Sequence, residues 1–210
     1  MIALPEPIRM FAALAVVAAL AACGAAPDAS APRAPVAEAP AALNITSINV
    51  TVPRTLKVSE KNRYYPGGDI VWRGDPSGDR YAQVEAIFRD AMARGTQGMT
   101  KGTPAVLDIE VERFHALTEK ARYSTGGVHA ITFLLTLRDP ATGQVLAAPR
   151  RIKADLRAYG GQAAIAADQR GETQKVRITV HLAYVIRTEL SNPGSYQGEG
   201  LGLIGALNTL

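Results

Sequence analysis

The stretch 130–143, AITFLLTLRDPATG, decides the fold of this chain. Ile131, Phe133, Leu135 and Leu137 alternate with Ala, Thr and Leu, and this period of two is typical of a β-strand. In the turn 139–143 that follows, the aspartate can bond to the backbone, the proline presets one backbone angle and the glycine permits a positive φ. The stretch therefore predicts a strand that ends in a tight hairpin.

The same alternation predicts further strands on both sides of this hairpin. Leu107, Ile109 and Val111 alternate with acidic residues, and Ile48, Val50 and Val52 alternate with Ser, Asn and Thr. The predicted strands besides 131–137 are 48–52, 69–73, 107–111 and 144–156, the last kinked at Pro149. Segments 120–127 and 160–171 are predicted to be loops.

Two helices are predicted. The first begins after the N-cap Asp79 and ends at Gly95, because its apolar residues recur every three to four positions. Residues 172–190 fit two interpretations, since their apolar residues alternate like a strand and also share one helical face. We favour the helix, because a strand of that length would be exceptional.

This order of elements predicts an α+β fold. We expect a two-layer sandwich in which an antiparallel sheet of about four to five strands carries two helices on one face. A single domain at 44–191 would hold all of these elements, preceded by a Pro/Ala-rich segment at 23–43 and followed by a Gly-rich apolar tail at 192–210. The tail is predicted either to be disordered or to dock in a groove.

The first 22 residues have the layout of an export signal. A short start with Arg9 precedes the apolar run 10–20, which is shorter than the approximately 20 residues that a transmembrane helix needs. Segment 1–22 is therefore predicted to be a lipoprotein signal peptide.

The end of this signal, Leu20-Ala-Ala-Cys23, resembles the bacterial lipobox. This resemblance implies that Cys23 becomes the first residue of the mature protein and carries a diacylglyceryl group. The alternative, a buried small Cys23 in an ordinary helix, is disfavoured by Gly24 and the Pro-rich tract after it. Several acyl chains would hold the protein on a membrane effectively permanently. By the enteric sorting rule, Gly24 in place of Asp implies the outer membrane.

Composition excludes several classes of protein. The formal net charge is +4, and the cations are spread along the chain, which gives no nucleic-acid footprint. Since Cys23 is the only cysteine, no disulfide or thiolate metal site is expected within the chain.

The prolines of 23–43 favour an extended tether that holds the domain away from the membrane.

Histidines offer one candidate metal site. If the hairpin turns near Arg122, His115 and His129 lie opposite each other and could share a metal with Glu112 or Glu119. The interpretation that we favour is two histidines at the polar end of adjacent strands, with no resident metal. His181 is predicted to face water on a helix.

Other candidate groups are carboxylates and aromatic rings. Glu110 and Glu112 could form an acid and base pair, but their alternation with apolar residues favours a solvated outer face. Tyr64, Tyr65 and Trp72 could stack on a sugar or a peptide at a loop rim, but aromatic residues next to turns usually cap the core, and we favour that interpretation. We expect no catalytic cluster and no cofactor.

With its lipobox, its Pro/Ala tether and the strand-turn-strand segment 131–146, the chain resembles a family of uncharacterised lipoproteins from alphaproteobacteria. Its layout is more loosely similar to α+β lipoproteins that assist envelope machines, such as auxiliary subunits of lipid-transporting ABC systems and the lipoprotein partner in lipopolysaccharide assembly. The leading hypothesis is a non-enzymatic outer-membrane lipoprotein that faces the periplasm and binds an envelope protein or lipid, through a sheet edge or the apolar tail. The alternatives are a periplasmic hydrolase that uses Glu110, Glu112 or a histidine, and a peptidoglycan-binding protein.

Overall fold

The computed structural model of the protein describes residues 42–198. The predicted signal peptide, Cys23, the tether up to residue 41 and the tail from residue 199 lie outside these residues. Along the described chain the elements are β1 Leu43–Thr51, β2 Ile70–Val71, α1 Arg80–Gly95, β3 Thr103–His115, α2 Glu119–Arg122, β4 Gly127–Arg138, β5 Val145–Lys153, β6 Leu156–Ala158, α3 Gly161–Gln169 and α4 Gln174–Ser191.

The strands form one sheet in the order β1-β3-β4-β5. β2 pairs with β3 beyond the end of β1, and β6 pairs with β4 next to β5. Each edge of the sheet is therefore made of two shorter strands in line. The described sheet has six strands and the same residues form four helices, so the expectation of four to five strands and two helices was too low.

The predicted antiparallel sheet is wrong at one edge. β4 runs antiparallel to both of its neighbours β3 and β5, as expected, but β1 and β2 both run parallel to β3. Parallel neighbours need a crossover connection, and α1 lies in the connection between β1 and β3. The succession strand, helix, strand in the sequence was the signal for this parallel pair.

α1 and α4 share one apolar core with the sheet. Val84 and Phe88 of α1 and Leu182 of α4 are fully buried in that core, and the ring of Phe88 meets Phe133 of β4 edge to face at 5.5 Å. The helices approach each other closely at Gly95, where a Cβ atom would lie 2.1 Å from a methyl carbon of Ile186.

Residues 174–191 form a helix, as we predicted for this ambiguous segment. Thr173 caps it by accepting a hydrogen bond from the backbone N–H of Val176. Val180 and Tyr184 had contributed to the strand-like alternation, and both are exposed on the outer side of α4. The alternation therefore arose because exposed apolar residues lie between the buried Ile178, Leu182 and Ile186, which belong to the helical stripe that faces the core.

Two segments predicted to be loops contain helices. α3 occupies 161–169 within the predicted loop 160–171, and α2 is a single turn within the segment between β3 and β4. Only Ala164 and Ala167 of α3 are buried, so α3 has no wide apolar stripe. Its alanines favour the helix by propensity alone, which a search for apolar periodicity does not detect.

The predicted strand 144–156 is divided in two. Pro149 lies at a register shift in β5, which is an edge strand where a missing N–H is tolerated. The chain then breaks at Asp155, whose buried carboxylate accepts a hydrogen bond from the N–H of Ile131 at 3.0 Å. This side chain takes the place of a strand partner between β5 and β6.

Candidate functional site

A pocket of about 400 Å³ lies where β3 ends and β4 begins. The strand end at His115, the turn around α2 and the start of β4 at Gly127 form its walls, and the loop before β2 contributes its tyrosines. The lining residues are Tyr64, Tyr65, Pro66, His115, Ala116, Leu117, Thr118, Ala121, Thr125, Gly126, Gly127 and Val128. We call it the tyrosine-rimmed pocket. Its volume lies within the range of small-molecule sites.

Two tyrosines stand exposed at this pocket. Tyr65 is 78% exposed and Tyr64 is 46% exposed. The hydroxyl of Ser124 lies 3.3 Å from the Tyr64 hydroxyl, and the ammonium of Lys120 lies 5.0 Å from the Tyr64 ring centre. Tyr64 is therefore held in place, whereas the large exposed surface of Tyr65 is available to a ligand.

His115 is the one histidine of the pocket, and it is half-buried. Burial and the positive charge of Arg113 lower its pKa to about 4. The imidazole is therefore neutral at any pH well above that value. A neutral imidazole has one hydrogen-bond donor and one acceptor.

None of the residues that line the pocket is an aspartate, glutamate, lysine or arginine. Because His115 is also neutral, the lining carries no formal charge near pH 7. The polar groups available to a ligand are hydroxyls and backbone amides, because the imidazole is hydrogen-bonded to the backbone of Gly67. The pocket is thus an uncharged site with aromatic rings at its rim.

The adjacent glycines Gly126 and Gly127 allow the backbone to form one wall of the tyrosine-rimmed pocket. Gly126 has φ +72°, and a Cβ atom there would lie 2.8 Å from the carbonyl oxygen of Ala158 and the nitrogen of Gly160. At Gly127 a Cβ atom would lie 3.2 Å from a methyl carbon of Leu117. Glycine is required at position 126 by both its backbone angle and its neighbours.

The three aromatic residues singled out in the sequence separate into two groups. Tyr64 and Tyr65 are exposed and line the pocket, so the favoured interpretation, that they cap the core, is wrong for these two residues. Trp72 is fully buried, packs edge to face against Phe114 and donates a hydrogen bond from its indole N–H to Asp75. For Trp72 the favoured interpretation, a core residue next to a turn, is correct.

The hypothesis of a metal shared by His115 and His129 is wrong. His115 pairs with Ala130 in the sheet, so His129 is one position out of register and belongs to the opposite face. Within residues 42–198, no group of three or more His, Cys, Asp or Glu residues could hold a metal ion. α2 and the turn after it lengthen the connection, so the hairpin closes later than the sequence suggested.

His129 is instead part of a buried polar cluster between the sheet and the helices. It is 1% exposed, and neither ring nitrogen has a hydrogen-bond partner among the described residues. Burial and the charges of Arg177 and Arg122 lower its pKa to about 3. Arg122, which forms an ion pair with Asp168, and Gln174 line the same small cavity. The cavity, of about 10 Å³, has room for little more than one water molecule.

The remaining candidate residues lie away from the pocket. Glu110 is exposed, and Glu112 forms an ion pair with Arg151 of β5, so both side chains follow the expected solvated face. His181 was predicted to face water but is half-buried, with its Nε2 atom 3.3 Å from the hydroxyl of Tyr196. Neither glutamate lines the tyrosine-rimmed pocket.

Cys23, the residue predicted to carry the lipid, lies outside the described residues. The described helices include none with the length and apolar character required to cross a membrane.

The chain belongs to a family of unknown function, DUF6778, whose profile matches residues 43–206. None of the curated proteins matches the sequence. Among solved structures, the chain is similar to a protein of Xanthomonas campestris from the family DUF330, with 16% identity over 85% of this chain and 93% of that chain and a TM-score of 0.41. It is also similar to a candidate lipoprotein from Caulobacter crescentus CB15, with 16% identity over 69% of this chain and 87% of that chain and a TM-score of 0.34.

Proposed function

We propose that this DUF6778 protein is a lipoprotein of the bacterial envelope, anchored at Cys23, whose domain binds an envelope component without performing catalysis. The tyrosine-rimmed pocket is the proposed binding site. The observation that carries the proposal is the pair of exposed rings, Tyr64 and Tyr65, beside an uncharged cavity large enough for a ligand.

The proposed anchor rests on the lipobox Leu20-Ala-Ala-Cys23 and on the apolar run before it. Gly24 supports the outer membrane as the destination, because the residue after the lipidated cysteine is the one that inner-membrane retention uses in enteric bacteria. The domain would then stand in the periplasm on a tether of about 20 residues, which reaches roughly 60 Å when fully extended.

The position of the pocket fits this arrangement. β1 begins at Leu43, which pairs with Thr103 at the start of β3, whereas the pocket lies at His115, where β3 ends. Across the 13 residues of β3 the two ends are about 40 Å apart. The pocket is therefore at the end of the sheet opposite to the point where the chain enters the domain. A tether attached at that entry point leaves the pocket free to face away from the anchoring membrane.

The chemistry of the pocket supports binding over catalysis. General acid and base catalysis at neutral pH needs a group whose pKa lies near the working pH. The pKa of His115 is about 4, and the lining of this pocket contributes no carboxylate, lysine or cysteine. The groups present can hold a molecule through stacking and hydrogen bonds.

Affinity capture from detergent-solubilised membranes tests the binding role. We expect the full-length protein to retain an envelope component, and the double variant Tyr64→Ala/Tyr65→Ala to retain roughly tenfold less of it, because the stacking surface is lost. Tyr184→Ala is the matched control, since Tyr184 is 61% exposed on α4 and does not line the pocket. Equal recovery with the double variant and the control, or recovery of the protein alone, would contradict the proposal.

A further inference from the structure

We propose that the tyrosine-rimmed pocket takes an uncharged sugar ring of a glycan, with Tyr65 as the stacking platform. This inference rests on the proposed function and names the class of ligand for the same site. The candidate ligands share one chemical group, a neutral pyranose ring with one apolar C–H face and several hydroxyl or amide groups at its edge. Both an N-acetylated wall glycan and a plain polysaccharide supply such a ring.

The absence of charge in the lining excludes strongly charged ligand groups from the interior. A phosphate, carboxylate or ammonium that entered would lose hydration and gain no opposite charge from any of the lining residues. His115 cannot supply that charge, because burial keeps its pKa at about 4. The ammonium of Lys120 is engaged over the ring of Tyr64, and Arg113, whose charge lowers the pKa of His115, does not line the pocket. A neutral ligand avoids this desolvation cost.

The exposed ring of Tyr65 favours a ligand with a flat apolar face. A tyrosine that is 78% exposed leaves a large apolar surface in water, and it lines a pocket instead of packing on the core. The face of an aromatic ring carries a partial negative charge, so it attracts the slightly positive hydrogens on the C–H face of a pyranose. Tyr64 adds a second ring whose hydroxyl is positioned by Ser124.

The polar groups of the pocket match the edge of a sugar. Hydroxyls both donate and accept hydrogen bonds. The imidazole of His115 is already hydrogen-bonded to the backbone of Gly67, so the hydroxyls and the backbone amides are the groups that a sugar can use. Thr125 is exposed beside the glycine pair, so its hydroxyl can exchange its contact with the carbonyl of Gly126 for a ligand. Thr118 is committed to structure, because its hydroxyl donates to Arg63 and accepts from Ala121.

An acyl chain fits the same site less well. A lipid tail gains most where it is enclosed by apolar side chains alone. Here the lining mixes Leu117 and Val128 with two threonines, a histidine and two tyrosines. The exposed polar groups among these, at Tyr64, Tyr65 and Thr125, would lose their water without a replacement hydrogen bond if a methylene covered them, whereas Thr118 is buried and already hydrogen-bonded. The observations therefore favour a sugar ring over a lipid tail.

Isothermal titration calorimetry and saturation-transfer NMR on the full mature chain in detergent micelles test the inference. The probes are chitotetraose, which is N-acetylated, cellotetraose, which is not, and palmitate. We expect at least one glycan to bind at millimolar concentration or below, with saturation transferred to its ring C–H protons. Preference for chitotetraose identifies the N-acetylated source, and preference for cellotetraose identifies the plain one.

Variants then locate the binding. Tyr65→Ala is expected to weaken glycan binding by about tenfold, because the stacking platform is removed, while Tyr65→Phe retains most of it and Tyr184→Ala changes nothing. Binding of palmitate alone, binding of neither glycan, or equal affinity of Tyr65→Ala and the parent would overturn the inference. If both glycans fail while the double variant Tyr64→Ala/Tyr65→Ala still loses its envelope component, the ligand class is wrong and the proposed function remains.

Discussion

His129 places an imidazole inside the protein, where its two ring nitrogens have no hydrogen-bond partner among the described residues. Burial and the charges of Arg177, Arg122 and His181 lower its pKa to about 3. An unfolded chain would hold this proton with a pKa of about 6.5. As the pH falls below about 6.5, the unfolded state therefore takes up the proton first, and the folded state loses stability until the pH nears the folded pKa.

This imbalance predicts the effect of His129→Leu on acid stability. Between about pH 7 and pH 5, His129 should remove roughly 2 kcal/mol from the free energy of unfolding of the parent protein, and the variant should not show that part of the loss. Urea unfolding across this range measures it. His115 also has a lowered pKa and is unchanged in the variant, so its contribution cancels in the comparison. Parallel pH profiles for parent and variant would contradict the assignment.

Gly126 lies in the wall of the pocket, and Gly143, in the turn between β4 and β5, is the control for it. Both have a positive φ, +72° and +71°, but only at Gly126 would an added Cβ atom lie within 3 Å of backbone atoms. Gly143→Ala should therefore cost about 1 kcal/mol from its backbone angle, and Gly126→Ala about 1 to 3 kcal/mol more because Ala158 and Gly160 must move. Denaturant unfolding measures the free energy of unfolding of both variants. An equal decrease in the two variants would show that the wall at Gly126 is not tightly packed.

Among single residues, the sequence drew attention to Tyr64 and Tyr65 but favoured a core position for them, and it missed the surroundings of the histidines. The sequence shows that the two tyrosines lie beside a Gly-Gly turn, but not that their side chains are exposed. The face on which His129 lies depends on where the β3–β4 connection closes, and a shift of one residue reverses the face. The residues around position 129 do not indicate how β3 and β4 pair.

Among the helices and strands, the apolar patterns predicted α1, α4 and the antiparallel run β3, β4 and β5. They did not predict the direction of β1, because alternation specifies which face of a strand is buried and contains no information about its neighbour. Connection lengths do contain that information, since a 16-residue helix between two strands permits a parallel pair. α3 was missed because its alanines bury little surface.

The break between β5 and β6 leads to a prediction about how the two strands are held. Asp155→Ala would leave the N–H of Ile131 buried without its acceptor, so we expect a loss of about 1 to 3 kcal/mol in the free energy of unfolding. Asp155→Asn keeps an acceptor oxygen and should lose distinctly less. Thermal and urea unfolding of the two variants measure the difference, and an alanine variant as stable as the asparagine variant would refute this role.

Across the described domain, the arrangement of the two ends of the sheet connects the fold to the proposed function. The chain enters the domain near Leu43, and the pocket lies at His115, about 40 Å away along β3. Sequence alone could not show this separation, because it depends on β1 being parallel to β3. With an antiparallel β1, the entry point and the pocket would lie at the same end.

The anchor leads to a prediction about where the protein is found in the cell. Cys23→Ser removes the thiol that would accept the diacylglyceryl group, and each methylene of a buried acyl chain contributes about 0.8 kcal/mol to membrane binding. We therefore expect the parent protein in the outer-membrane fraction, and we expect Cys23→Ser, which carries no acyl chain, to be lost from that fraction after cell fractionation. Ala22→Ser, a small residue in place of another, is the control that should stay with the membrane.

The most direct measurement is intact mass spectrometry of the protein purified from the membranes of the organism that produces it. We predict a mature chain that begins at Cys23 and carries acyl chains on that residue. A chain that still begins at Met1, or a Cys23 without fatty acid, would contradict the proposal that this domain is held at the envelope by lipid.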